Sequence, residues 1–290
     1  MNKLALGTAQ FGSSYGITNK KGQIKFSEVS EILRFAKNSN IDLIDTAIAY
    51  GDSEKFIGDA GIKDFKFVSK LPDLPKDCKD INSWVEQSVK SSLIRLGISS
   101  LYGLLVHRSK NLLGNSGKKL IKALKMIKLE GLVKKIGISI YDPSECEQVM
   151  KITRVDIVQA PLNIIDRRLV TSGLLSKLHS EEIEIHTRSV FLQGLLLMPR
   201  YKIPKNFNRW SKVWDKWSLE LKKNDLSAAE VCLLYPLSLP EIDRVIVGVE
   251  NANQLSELIK KSKSQHSQID CSFMISNDQM LINPSNWQKL

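Results

Sequence analysis

The sequence predicts a single-domain α/β protein, a closed (β/α)8 TIM barrel with loop insertions at its C-terminal rim. Three observations lead there. Eight short apolar runs alternate with amphipathic helical patterns along nearly the whole chain. Strands this apolar, separated by helices, belong to a parallel sheet covered by an outer helical layer. The length, 290 residues, suits one barrel of roughly 250 residues carrying insertions. No G-x-G-x-x-G follows a strand, which weighs against a two-domain dinucleotide-binding architecture.

The strands expected are KLALGT (3–8), IDLID (41–45), FKFVSK (65–70), LYGLLVH (101–107), KKIGIS (134–139), VDIVQA (155–160), EIEIHTRS (182–189) and DRVIVG (243–248). Helical periodicity runs over 27–39, 82–97, the lysine-rich stretch within 116–135, 143–152, 168–179, 227–239 and 251–262. Ser27, Ser53, Asn82 and Ser227 stand at helix starts and are expected caps; a carboxylate follows in the first turn after Ser27 and Ser53. Pro236 should kink or shorten its helix. Two segments break the repeat: 196–217, rich in aromatic residues and proline, and the C-terminal tail 264–290. Both are candidates for lids over the barrel mouth.

Composition narrows the function classes. No apolar run reaches the roughly 18–20 residues that cross a bilayer, and the N-terminus lacks the apolar run of a secretory leader. A cytoplasmic protein is expected, with no membrane partner. Cys78, Cys146, Cys232 and Cys271 are widely scattered, so no metal site is indicated. The formal charge of +11 raises the question of nucleic acid. In the densest basic stretch Leu120, Ile121, Leu124, Ile127 and Leu129 form an apolar stripe. Lys118, Lys119, Lys122, Lys125 and Lys128 fall on other faces. That is a solvated amphipathic helix without interleaved aromatic platforms, and no nucleic-acid partner is expected.

The chemistry-bearing residues gather at strand ends, where barrels of this kind keep their sites. Asp45 ends the second strand, with Tyr50 in its loop; Lys70 ends the third; His107 ends the fourth. Singly each has a bland reading, as a cap, a loop aromatic, a solvated amine or a satisfied core imidazole. Together they put an acid, a phenol, an amine and an imidazole on one rim in neighbouring strand order. A catalytic reading of Asp45 and Tyr50 asks for a lysine to bind the acid and tune the phenol, and a polar group to aim a substrate; Lys70 and His107 stand where those demands fall.

LGTAQFG (6–12), DTAIAYG (45–51), SK (69–70), VH (106–107), GIS (137–139), VQAPLN around Gln159 and IVGVENANQL (246–255) together resemble the aldo/keto reductase family over nearly the whole chain. The resemblance implies a nicotinamide cofactor across the barrel mouth and a small-molecule carbonyl substrate, with Tyr50 donating a proton to the carbonyl oxygen, Lys70 lowering the phenol's pKa, Asp45 orienting Lys70 and His107 positioning the carbonyl. It implies cofactor contacts from Gly7, Thr8, Ser139, Gln159, Arg188, Gly248 and Gln254. The chain departs from the family pattern in three places. Ile140 follows Ser139 where asparagine is common, and Arg188 stands where an aromatic usually stacks. Gly248 and Gln254 replace the usual cations, with the acid Glu250 between them. Family preference favours NADP(H), with Lys260 or Lys261 as substitute cations and NAD(H) the alternative. Phe11, Tyr15, Trp84, Tyr141, Phe191 and Gln193 are candidate pocket residues, in keeping with aldehydes, ketones or sugar-derived carbonyls. The competing reading is a non-catalytic, redox-sensing or regulatory subunit on the same barrel. Neither reading fixes an oligomeric state.

Overall fold

The computed structural model describes residues 2–19, 22–264 and 270–290; residues 265–269 of the expected tail lie outside them. Eight parallel strands close in sequence order: β1 (Leu4–Gly7), β2 (Leu43–Asp45), β3 (Lys66–Leu71), β4 (Leu101–Val106), β5 (Val133–Ser139), β6 (Ile157–Pro161), β7 (Glu184–Arg188) and β8 (Arg244–Gly248), with β8 pairing back to β1. The expected (β/α)8 barrel is therefore the observed fold.

Side chains two residues apart on a strand share a face, and this period sorts the barrel interior into layers. Ala5, Leu43, Val68, Leu105, Ile157 and Ile246 form one apolar cluster separate from the core under the helices. Below it, toward the strands' N-terminal ends, lies a polar floor. Glu184 accepts from Tyr102 Oη at 2.7 Å and pairs with Lys135 and with His186. Arg244 grips Asp42 with both terminal nitrogens, and Asp42 also pairs with Lys66. His186, Lys135 and Tyr102 pull Glu184 down to about 2 against the opposing effect of burial.

Several local expectations change. The helix Phe26–Asn38 starts one residue before Ser27, which makes no cap bond, and Asp80 rather than Asn82 caps Ile81–Leu96 through Ser83 N–H. Ser227 does cap Ala228–Leu237, and Pro236 falls in the last turn, ending that helix short of 239. The run 168–179 splits into Arg168–Thr171 and Leu174–Ser180 because Gly173 takes a left-handed φ of 78° between them. In the lysine-rich helix Gly117–Leu129 the buried stripe is Leu120, Ala123, Leu124 and Ile127, whereas Leu129 is 87% exposed. The 196–217 segment folds as short 3-10 turns followed by a further helix, Ser211–Lys223. The described tail packs on that insertion: Trp287 meets Phe207 edge-on at 5.0 Å, and Asp278 accepts from Trp210 and Arg209.

Ser53 and Glu54, expected as cap and first-turn acid, do something else. Ser53 is the first residue of the helix Ser53–Asp59, and its hydroxyl is buried against Thr8 and Thr46. Glu54, 1% exposed, accepts from Ser69 and Ser92 at 2.6 Å each and takes a two-pronged bond from Arg95. One carboxylate thus ties the segment after β2 to β3 and to the helix Ile81–Leu96. Removing one partner of such a buried set leaves the others unpaired, so Glu54→Ala should lower the unfolding free energy by about 3–5 kcal/mol. Urea titration measures this; a loss of less than about 1 kcal/mol, the size of an exposed pair, would contradict the assignment.

Candidate active site

The rim layer is the next turn of the same alternation. Two residues beyond the six members of the middle layer stand Gly7, Asp45, Lys70, His107, Gln159 and Gly248, and Ser139 and Arg188 take the corresponding places at the ends of β5 and β7. Register places Gly7 beside Asp45 and Ser139 beside Gln159. Gly7 also stands beside Gly248, whereas the register partners of Lys70 and Arg188 are Leu105 and Pro161.

Tyr50 is held by backbone contact. Gly12 lies so close to the Tyr50 carbonyl that a Cβ at residue 12 would stand 1.6 Å from its oxygen, and one on Gly51 would stand 2.2 Å from the Gly12 oxygen. Gly51 also adopts a left-handed φ of 48°, which glycine takes without steric penalty. The glycines of AQFG and AYG therefore allow two loops to touch and bring Tyr50 over the barrel.

Beneath it, Lys70 Nζ lies 2.7 Å from Asp45 Oδ2 and 2.8 Å from the Thr46 carbonyl. Lys70 is 1% and Asp45 4% exposed. Gln159 reaches across the barrel and donates to Asp45 Oδ1 at 2.7 Å, so both carboxylate oxygens are engaged. Lys70 Nζ is 5.1 Å from the Tyr50 ring centroid, and the His107 ring meets Tyr50 edge-on at 5.9 Å. The four residues form one group.

Their electrostatics depart from the simplest expectation. Burial and the Asp45 carboxylate raise the Tyr50 phenol above its usual value, opposed by Arg188. Lys70 was expected to pull the phenol down, yet it is itself lowered by burial, and its charge is matched by Asp45. The phenol thus stays firmly protonated. His107 is lowered to about 4, first by burial and then by Lys70 and Arg188, so its imidazole is neutral at physiological pH.

A cavity of about 320 Å³ opens over this group. Gly7, Thr8, Asp45, Tyr50, Arg188, Gly248 and Gln254 line it; Ser139 and Gln159 are buried and do not. The Thr8 hydroxyl is committed to the Asp45 carbonyl and to Ser53. Gln159 Oε1 is a fully buried acceptor without a hydrogen-bond partner, which matches the amide donor of a nicotinamide carboxamide. Residues present therefore fit that cofactor. Arg188 stacks its guanidinium on Tyr141 at 4.4 Å and donates to the Ile140 carbonyl and the Ser189 hydroxyl. Of the expected pocket residues, Tyr15, Phe191 and Gln193 line the cavity. Phe11 is a core residue, Trp84 packs against the core, and Tyr141 supports Arg188 instead. Glu257 and Lys261 also line it; Glu257 was not foreseen, whereas Lys261 is one of the two expected substitute cations. Their spacing from Gln254 puts all three on one face of the helix Ala252–Ser262, a signal that was present in the sequence. Lys260, the other substitute cation, is not a lining residue.

Comparisons with known proteins agree with this fold. A model of the aldo/keto reductase family matches residues 3–272. An uncharacterized oxidoreductase, YqkF, of Bacillus subtilis is 24% identical over 294 residues, covering 91% of this chain and 92% of its own. Among solved structures, aldo-keto reductase AKR11C1 from Bacillus halodurans, in its holo form, superposes with a TM-score of 0.73 at 18% identity, over 95% of this chain and 94% of that one. The glycerol dehydrogenase AKR11B4 from Gluconobacter oxydans gives 0.70 at 18% identity, over 98% and 93%.

The His107 environment has a consequence for stability. Unfolded, the imidazole takes its proton near 6.5; folded, only near about 4. Between those values the unfolded chain binds more protons, so stability falls as pH drops through that window and is fully present above it. His107→Gln should flatten the dependence of unfolding free energy on pH by up to about one bound proton; an unchanged slope would show that the imidazole protonates freely in the fold.

Proposed function

We infer the reaction from one premise: the chain belongs to the aldo/keto reductase family, whose members use nicotinamide cofactors. We propose that it reduces an aldehyde or ketone to the alcohol, sugar-derived carbonyls included. The observation that carries this is the buried Lys70–Asp45 pair directly beside Tyr50 and under the cavity. A non-catalytic barrel has no need of two desolvated charges there, which cost stability unless their pairing is used.

When bound, the reduced cofactor supplies the hydride. Gln159 Oε1 would accept from its carboxamide, with Ser139 alongside, and Gly7, Thr8, Arg188, Gly248 and Gln254 would form the rest of its bed. Tyr50 donates its proton to the carbonyl oxygen as negative charge grows there, and neutral His107 donates a hydrogen bond to the same oxygen. Lys70 stabilises the phenolate left on Tyr50, a role that emerges only at that moment because Asp45 matches its charge beforehand. Tyr15, Phe191 and Gln193 supply aromatic faces and an amide suited to a small hydroxylated carbonyl compound. At the far end Lys261 is the cation available to a 2′-phosphate, while Glu250 and Glu257 are acceptors for ribose hydroxyls. We therefore assign NADP(H) as the favoured cofactor with NAD(H) also used. Four unpaired cysteines, Cys78, Cys146, Cys232 and Cys271, accord with the reducing cytoplasm.

Absorbance loss at 340 nm tests this with NADPH and NADH against aromatic aldehydes, aliphatic aldehydes and free sugars. Tyr50→Phe should lower kcat by at least about 10²-fold, the scale of one positioned proton donor, while cofactor affinity is preserved. Near-normal turnover in that variant would remove Tyr50 from the chemistry; saturable cofactor binding with no turnover on any substrate would favour the regulatory reading. The two cofactors should differ in affinity by less than about tenfold, or about 1.4 kcal/mol. A much larger preference for NADPH would show that Glu250 and Glu257 do not oppose the phosphate.

A further inference from the structure

The rim layer contains one cation that no anion balances. Lys70 is matched by Asp45. Arg188 has only neutral partners: the Ile140 carbonyl at 3.0 Å, the Ser189 hydroxyl at 3.1 Å and the Tyr141 ring. Among the described residues it forms no salt bridge. It lines the same cavity as Asp45 and Tyr50, and its field reaches the whole group, favouring the deprotonated form of Tyr50, Lys70 and His107 alike. With Tyr50 and His107 neutral, the charges of Asp45, Lys70 and Arg188 leave the reacting end of the cavity net positive.

We propose that Arg188 makes this site select between the redox states of its cofactor, binding the reduced form more tightly than the oxidised form. The inference rests on the carbonyl-reductase reading. The two forms share their phosphates, riboses and adenine. They differ in the nicotinamide ring, which is neutral when reduced and carries a positive charge when oxidised. The ratio of their affinities therefore reports the potential at the ring and cancels contacts along the rest of the molecule. An uncompensated guanidinium in a poorly solvated site repels the oxidised ring and leaves the reduced one untouched. An aromatic side chain at the same position would stack on either form without that penalty, and its electron-rich face would favour the cation. Replacement of an aromatic by arginine thus reverses the sign of the discrimination. In turnover, the hydride and the Tyr50 proton convert carbonyl to alcohol and the ring becomes cationic, so reduction itself loosens the spent cofactor.

The test measures dissociation constants for both redox forms of the preferred cofactor, by fluorescence for the reduced form and calorimetry for the oxidised. The wild-type protein should prefer the reduced form by more than about tenfold, or about 1.4 kcal/mol. Arg188→Gln, which keeps a planar hydrogen-bonding group without the charge, should bring the two within about threefold. Arg188→Lys, which keeps the charge but loses the plane stacked on Tyr141, should retain most of the preference, an outcome that a purely structural role for Arg188 would not give. Equal affinities in the wild type, or a ratio unchanged in Arg188→Gln, would overturn the proposal and leave the reductase reading intact. Failure of both forms to bind would overturn the proposal and the reductase reading together.

Discussion

The structure is organised around the buried contact between Lys70 and Asp45. Two charges taken out of water at the end of a barrel are a liability unless each finds its full set of partners. Here they do: the ammonium is shared between Asp45 and the Thr46 carbonyl, and the second carboxylate oxygen takes the Gln159 amide from the opposite wall. Three strands are thereby fixed relative to one another at the rim. The loop carrying Tyr50 is laid across them by the Gly12–Gly51 backbone contact and anchored behind by Glu54. A shift in any of these would leave a charge stranded, which makes the arrangement cooperative.

Much of this was legible in the sequence, for a reason particular to barrels. Strand alternation is a period of two, and the apolar members Ala5, Leu43, Val68, Leu105, Ile157 and Ile246 announce the inward face. The next inward position on each strand is then the rim, which is where Asp45, Lys70, His107, Gln159 and Arg188 stand. Tyr50, in a loop, had no such register, and only its neighbourhood with Asp45 and Gly51 marked it. What escaped the reading depends on contacts across large sequence separations. Glu54 looks like a first-turn acid because the signal for its burial lies in Ser69, Ser92 and Arg95. Gly173 looks like a tolerated helix residue until its left-handed φ is seen. The helix Ser211–Lys223 was hidden in a segment whose prolines and tryptophans resemble loop, since Trp214 and Trp217 are buried with their indole N–H groups donating to the Phe207 and Leu196 carbonyls of the same insertion.

The electrostatics of the site also invert the simplest sequence argument. A lysine near a tyrosine suggests a phenol poised to ionise, but proximity alone does not decide the sign of a shift. Desolvation acts on both groups, and Asp45 matches the ammonium. The result is a proton store: a phenol that holds its proton until charge develops nearby, beside an imidazole that burial keeps uncharged. Both are donors at physiological pH, and among the described residues the unmatched charge of the rim layer belongs to Arg188.

The polar floor gives the barrel a direction. Glu184, Lys135, Tyr102, Asp42, Lys66 and Arg244 occupy one end with ion pairs, and the apolar layer above them fills the middle of the interior. The interior is thus a well with a bottom, and the cavity opens at the end opposite that floor. In such a vessel the order of arrival is a matter of depth: whatever lies beneath must be seated before whatever rests on top of it, and it can depart only after the upper occupant has gone.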